Sequence, residues 1–480
     1  MRDRVTDQRA TPRPAAAESG GDTGPMPWAL VAALTFAAVC AAIQQTAVVP
    51  LLPVLQQHLD SSLSAVTWAF TVSLLCGAVA TPMVGRLGEL YGIRRTAMTV
   101  LTLLAAGAVL AAATTSLPLL IAGRVLQGFS VAVIPAAIGI VRMNVPPQRL
   151  ATAVGVLSAT VGMGGGIGML LTGGLSEAVG DYHSVFWAIA VLAVLAAIAV
   201  RLTVPAAAPT GTGRPDLVGG LLLTGALVAL LVAISQGRAW GWTSGPVLGL
   251  LAAAVVLAVL WVYAEQRVPT PLVAISMLTH RASIGANVAS LLLGFAMFAN
   301  ITLISAYVQA PEATGGFAAS VLDVGVFLLP LTVLVVAVTP YAGRMAKVTG
   351  PGKVVALGGL ITALSDLWLI LVHDEPYAIY VGTAVLGIGI GLGYAAVGAM
   401  AIEHVAPEKA AAASGVNLLV RVVGGAVSGA AIAAVLAAHT TAGQVAEAGF
   451  RTGWTVAGAT GVVAAVFAVL YSGRRPAADQ

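Results

Sequence analysis

The sequence predicts an all-α membrane protein that crosses the bilayer fourteen times and keeps both termini cytoplasmic. Three observations carry that expectation: the composition, the spacing of apolar runs and the placement of basic residues. Of 480 residues, 59% are hydrophobic and 9% charged, against about a quarter charged in soluble domains. Mean hydropathy is +0.96, a surface that water cannot solvate. The net charge of +4 is informative through its placement and gives no reason to expect a nucleic-acid partner. Cys40 and Cys76 both lie in apolar runs, so no disulfide framework and no metal cluster is expected. The 55 glycines suit close helix packing in lipid.

About 20 mostly apolar residues make a transmembrane helix. On that measure the spans are 28–51, 64–85, 96–114, 118–140, 151–173, 185–203, 217–235, 245–264, 283–307, 319–341, 354–372, 377–401, 411–437 and 452–471. Residues 1–27 are polar, contain Pro and Arg, and lack an apolar core. They read as a disordered cytoplasmic tail, not a signal peptide, and 473–480 as a second tail. With a cytoplasmic N-terminus, all but four of the 23 Lys and Arg fall on cytoplasmic segments, as the positive-inside rule requires. The four are Arg238 and Arg451 in outer loops and Arg124 and Arg421 inside helices. One helix more or fewer would scramble the alternation.

The loop after span 2 reads GRLGELYGIRR (Gly85–Arg95), and the loop after span 10 reads GRMAKVTGPGK (Gly343–Lys353). Each opens on Gly-Arg, has Gly seven positions after the first, and ends on a basic residue. Internal repeats of this kind build transporters from two bundles around a central site. Counting from the loops, 28–204 forms one six-helix bundle and 283–472 the other. Residues 205–282 hold two additional spans.

These residues resemble the major facilitator superfamily and, within it, the 14-span drug:proton antiporter family of multidrug efflux type. The likeness runs from about residue 28 to 472. GRLGELYGIRR is similar to the superfamily's cytoplasmic signature, through Gly85, Arg86, Gly92, Arg94 and Arg95, with Glu89 where the family usually has Asp. RVLQG (Arg124–Gly128) is similar to the fourth-span motif, and ASGVNLLVRVVGGAVSGAA (Ala413–Ala431), containing Arg421, to the thirteenth span. The helix pair preceded by RPDLVG and divided by SQGRAWGW (Ser235–Trp242) is also the 14-span arrangement. The resemblance implies two six-helix bundles plus two helices, alternating access and proton-driven efflux.

A charge at the bilayer centre costs from about 2.5 kcal/mol upward. Arg124, some seven residues into span 4, therefore needs a wet cavity or a partner. The resemblance places it facing span 1, in proton coupling. In span 1 the family pattern is roughly Leu-Asp-x-Thr-x-x-Asn-x-x-x-Pro. Here Ile43, Gln44, Thr46, Val49 and Pro53 stand in register, so a neutral amide replaces the carboxylate. Adjacent helical residues diverge by about 100°, so of Gln44 and Gln45 one is expected to line the cavity and bond Arg124 or substrate. The alternative is that both satisfy neighbouring helices. Pro50 and Pro53 bend or end span 1.

The fifth span, GMGGGIGMLLTGG (Gly162–Gly174), resembles the antiporter signature through Gly164, Gly168 and Gly173, with Met169 for the proline and Thr172 for one glycine. Small residues allow close backbone approach, and the missing proline removes its kink. Neither phosphate-binding fingerprint is met. Asp366 is the one carboxylate well inside a span, a functional position by default, with structural pairing or snorkelling as its alternative. Asp323 begins span 10 near the outer mouth, to meet substrate or simply be solvated. These two are the proton-coupling candidates. Further cavity candidates are Gln127, Phe298, Asn300, Tyr307 and Tyr394. Arg421 is expected to pair within its own bundle, and Glu89 to latch the bundles in one state.

The expected function is export of small amphipathic compounds, drugs or antibiotics, across a bacterial cytoplasmic membrane, with protons, the substrate and the lipid bilayer as expected partners. A monomer without cofactor is expected. One intramembrane cation and few acids favour neutral or weakly acidic lipophilic substrates over dications. The alternatives are an exporter or facilitator of a specific metabolite without proton exchange, motivated by Gln44 and Met169, and a membrane receptor or enzyme. No hydrolytic triad, metal grouping or P-loop occurs at usable spacing, so catalysis is not expected.

Overall fold

A computed structural model describes residues 27–206, 216–268, 271, 275, 281–403, 410–441 and 444–471. Both expected tails, apart from Pro27 at one end, lie outside the described residues. The helices are α1 (Trp28–Thr46), α2 (Leu52–His58), α3 (Leu63–Tyr91), α4 (Ile93–Ala112), α5 (Leu117–Gly128), α6 (Val133–Asn144), α7 (Pro147–Val179), α8 (His183–Thr203), α9 (Leu217–Trp240) and α10 (Gly245–Glu265). They continue as α11 (Arg281–Gln309), α12 (Val321–Phe327), α13 (Leu329–Thr349), α14 (Pro351–Leu371), α15 (Pro376–Ile402), α16 (Ala410–Ala438) and α17 (Glu447–Tyr471). A two-strand hairpin, Thr440–Thr441 against Gln444–Val445, joins the last two.

Among the described residues, twelve helical stretches are long and apolar enough to cross a membrane. Helices α3 and α7, of 29 and 33 residues, occupy the positions of expected spans 2 and 5. Span 4 is α5 and α6 joined by a 3-10 turn over Phe129–Ala132. Span 10 is broken at Leu328 into α12 and α13, with proline in the first turn of α13. The first span is shorter than its apolar run: α1 stops at Thr46, not at residue 51. Pro50 has no N–H for the carbonyl of Thr46. Val49 N takes that carbonyl at 3.0 Å instead, Leu51 and Leu52 repeat the tighter i→i+3 pattern, and α-helical bonding resumes at Leu55 N to Leu51 O.

Helices α1, α3, α4, α5, α7 and α8 pack with one another, as do α11, α13, α14, α15, α16 and α17. The two groups meet where α3 lies along α16 and where α7 crosses α12 and α13. Helices α9 and α10 pair, and α9 rests on α16 and α3 at the outside of that seam. Leu248, Val255 and Val259 of α10 are more than half exposed, an apolar face suited to lipid.

The two repeat loops share one backbone device. Helix α3 passes into α4 through Gly92, at φ 93° and ψ 129°, and α13 into α14 through Gly350, at φ 90° and ψ 144°. Only glycine holds that region without strain, which is why Gly recurs seven positions after Gly85 and Gly343.

Candidate functional site

The side chain of Arg124 is fully buried. Helix α5 begins with proline in its first turn, and two turns later places the guanidinium between α1 and α3. Nε donates to the carbonyl of Ala69 at 2.8 Å. Nη1 donates to the Gln44 carbonyl and to Gln44 Oε1, both at 3.0 Å, and to Gln127 Oε1 at 2.6 Å. Ser73, one turn after Ala69, donates to the same Gln44 Oε1 at 3.3 Å. Hydrogen bonds to a charged group contribute about 1.5–3 kcal/mol each, enough together to offset the cost of the buried cation. The cluster contains no carboxylate, and Arg124 Nη2, Gln44 Nε2 and Gln127 Nε2 are buried donors without a protein acceptor.

Gln45 points elsewhere. It is half-buried, and Nε2 reaches only the carbonyl of Ala41, one turn back at 3.4 Å. Gln127 joins the cluster because it lies one turn beyond Arg124 on the same face. Sequence reasoning missed Ser73 and the Ala69 carbonyl, since a serine in an apolar helix and a backbone oxygen carry no distinctive signal. Next to Ala69, Phe70 meets Phe298 of α11 across the seam, ring centroids 5.7 Å apart.

The other candidates lie apart from this cluster. Phe298 and Asn300 diverge by about 200° on their helix. Asn300 turns away from the seam, ties Nδ2 to the Ala296 carbonyl at 3.0 Å, and faces Asp366 of α14. Tyr307, two turns on, donates to the carbonyls of Gly315 (2.6 Å) and His373 (3.1 Å). Its ring sits among Phe317, His373, Phe450 and Trp454. Tyr394 lies under the guanidinium of Arg421, 4.4 Å from its ring centroid, and Arg421 Nη2 reaches Asn417 Oδ1 at 3.5 Å. Asn417 also accepts from Ser290 of α11, so Arg421 has its partners within its own helix group.

Asp323 is engaged as a helix cap. Its Oδ2 accepts from Ser320 N at 3.0 Å while Ser320 Oγ accepts from Asp323 N at 3.2 Å, a reciprocal capping box at the start of α12. Of the loop signature, Arg94 Nη2 donates to the Arg201 carbonyl at the end of α8 at 2.9 Å. Arg86 has partners of its own, Arg95 is exposed at the start of α4, and Gly85 has open space around it. The side chain of Glu89 lies outside the described residues.

The fifth-span glycines touch two different surfaces. Gly164 and Gly168 bring α7 against Ala42, Ile43 and Thr46 of α1, while Gly173 abuts the backbone of Leu322 in α12, across the seam. Helix α7 runs unbroken past Met169. Thr172, where the resembled signature has glycine, donates to the Ala47 carbonyl at 3.1 Å. It thereby binds the point at which α1 breaks, a role its sequence position did not disclose.

Two helix groups meeting along two seams, with a hydrogen-bonded cation buried beside one of them, define a polytopic membrane protein of the transporter kind. Residues 34–267 and 284–480 match the model of the Major Facilitator Superfamily. The chain belongs to that superfamily. It is 30% identical over 420 residues to the tetracenomycin C resistance and export protein of Streptomyces glaucescens, covering 86% of this chain and 76% of that one. It is 31% identical over 489 residues to the puromycin resistance protein pur8 of Streptomyces alboniger, covering 96% and 95%. Among solved structures, the peptide transporter POT in complex with sulfate matches with a TM-score of 0.65 at 16% identity, covering 92% of this chain and 93% of that one. At that identity the likeness concerns the fold alone.

Proposed function

We propose that this chain is a fourteen-span exporter of small amphipathic compounds of the antibiotic type, working as a single chain by proton-coupled alternating access in a bacterial cytoplasmic membrane. Both termini are cytoplasmic in this reading. Residues 28–204 and 283–472 are its two moving bundles, and 205–282 supply the additional helix pair. Similarity along most of the chain to relatives named for antibiotic resistance and export supports the cargo class.

The observation that carries the reading is the Arg124 cluster. A single cation held by Gln44 and Gln127, without a carboxylate and with three unpaired donors, suits a substrate that offers oxygen acceptors. A dication placed there would meet like charge in a medium of low dielectric. The cargo is accordingly neutral or weakly acidic. Expression in an efflux-deficient host tests this: the chain should lower accumulation of neutral or weakly acidic lipophilic antibiotics and leave dicationic antiseptics unaffected. Strong resistance to the dications with none to neutral antibiotics would overturn it.

Gln44 favours one second reading, export without proton exchange, because a neutral amide cannot cycle a proton as a carboxylate does. Proteoliposomes holding a pH-sensitive dye separate the two. Substrate-evoked proton movement supports coupling, and substrate flux without it supports the uncoupled exporter.

A further inference from the structure

Asp366 lies in the last third of α14, five residues before its end at Leu371, and is fully buried. Neither Oδ1 nor Oδ2 makes a well-formed hydrogen bond, the amide of Asn300 being its polar neighbour. Four helices pack on α14: α15, α17, α13 and α11. From α11 the carboxyl faces Asn300, and from α17 it abuts Gly458. Helix α15 contains no Asp, Glu, Lys, Arg or His, and the Lys and Arg of α11, α13 and α14 (Arg281, Arg344, Lys347 and Lys353) all lie toward the opposite, cytoplasmic end. No counter-cation reaches this depth among the described residues. An ionised carboxylate without a counter-cation is costly in such a place, which favours the neutral acid. As the acid it has an O–H to donate, and Asn300 Oδ1 is a buried acceptor lacking a donor. One proton satisfies both orphans.

A second set of orphans leads from that acid to the surface. His373, seven residues after Asp366, is fully buried but has two distinct sides. Nε2 contacts Glu447 Oε1 at 3.1 Å and Asp374 Oδ1 at 3.7 Å, carboxylates that are 44% and 78% exposed. Nδ1 points inward and has no partner. The imidazole stands 5.6 Å, centroid to centroid, from the ring of Trp454, whose Nε1 is again a buried donor without an acceptor. Trp454 is one turn from Gly458 on the same face of α17, so a single wall runs from His373 to Asp366. From Asp366 the last five residues of α14 rise about 7.5 Å to Leu371, and the extended Val372 carries the chain on to His373; buried water characteristically bridges unpaired polar atoms spaced in this way. Arg451, bound to Glu447 at 2.8 Å, and Tyr307, whose hydroxyl caps the His373 carbonyl, complete the titratable surroundings of the imidazole.

We propose that Asp366 is a proton-binding carboxyl loaded from the Glu447 surface through His373. The inference rests on the proton-coupled reading above and assigns its site and its route. A proton passed from the protonated Glu447 carboxyl to His373 Nε2 releases the one on Nδ1 to the waters beside Trp454. That proton ends on the Asp366 carboxylate, giving the acid bonded to Asn300. No electrons are transferred, and the imidazole, left with its proton on Nε2, regains its starting tautomer when Asp366 returns a proton through the same waters to Nδ1 and Nε2 gives one up to Glu447.

The test needs no substrate. The full chain in oriented proteoliposomes is followed by infrared difference spectroscopy on exchange into D2O from the Glu447 side. Wild type is expected to show the carbonyl band of a protonated carboxylic acid, and Asp366→Asn to lose it. His373→Gln should slow deuteration of that band by at least about tenfold, within the range a positioned proton relay contributes. His439→Gln, in the hairpin region and bonded to the carbonyl of Val435, should leave the rate unchanged. If Asp366→Asn does not fold, Asn300→Ala is read instead, and the band should shift as its hydrogen bond is lost. Absence of the band in wild type, its persistence in Asp366→Asn, an unmoved band in Asn300→Ala, or wild-type exchange in His373→Gln each overturns the proposal. Those failures leave the export reading intact, because accumulation assays decide it separately.

Discussion

Arg124 Nη1 donates to both the side-chain oxygen and the main-chain carbonyl of Gln44, each at 3.0 Å. One nitrogen thus binds a residue twice, two positions before α1 ends at Thr46. The carbonyls of a last helical turn lack intrahelical partners and carry partial negative charge. Arg124 therefore caps α1 where Pro50 breaks it, and ties that break to α5.

Replacing either partner should separate charge from geometry. Arg124→Lys keeps the charge but loses the fork that reaches Ala69, Gln44 and Gln127 together, and transport is expected to fall to the level of Arg124→Ala. Gln44→Glu places a carboxylate against the guanidinium and neutralises the cluster. Accumulation assays should then show cationic compounds gaining as substrates while weakly acidic ones lose. Gln44→Ala strands a buried donor, which costs about 1–3 kcal/mol and should lower the melting temperature of the purified protein.

Gly173 and Gly174 are neighbours with opposite constraints. A Cβ at Gly173 would run into the backbone of Leu322 across the seam, whereas one at Gly174 would meet nothing within 4 Å. Gly173→Val should abolish export and destabilise by about 1–3 kcal/mol through overpacking. Gly174→Ala should export at the wild-type rate. Equal behaviour of the two variants would show that the seam is not packed as described.

The loop glycines make a backbone prediction. Gly350→Ala forces a Cβ into φ 90°, and so should Gly92→Ala at φ 93°. Each is expected to cost about 1–2 kcal/mol, seen as a lower thermal midpoint. Gly343→Ala, with open space around it, should unfold like the wild type.

Asp323 should prove separable from proton movement. Asp323→Ala removes one half of the capping box and is expected to cost up to about 1.5 kcal/mol in a thermal shift, while substrate-evoked proton flux in proteoliposomes stays unchanged. Loss of that flux in Asp323→Ala would return this residue to the coupling mechanism.

Much of the molecule was legible in the chain because the bilayer imposes rules that composition must obey. Apolar runs of fixed length, Gly at the same offset in two loops, and an arginine inside a helix are one-dimensional signals with one-dimensional causes. They disclosed the helices, the repeated joint at Gly92 and Gly350, and the need of Arg124 for company. Which glutamine answers Arg124 was not legible, because Gln44 and Gln45 differ only in helical phase and the phase acquires meaning once α5 has docked. The same holds for Asn300, which shares α11 with Phe298 and faces the opposite way. Asp323 is a candidate by its position, and that it also caps α12 follows from the conformation of Ser320. The orphaned atoms of Asp366, Asn300, Trp454 and His373 come from three helices and the loop that follows α14, and only packing lines them up. Local chemistry and hydropathy are written along the chain, whereas hydrogen-bond satisfaction depends on which buried atoms meet, and the tertiary structure alone decides that.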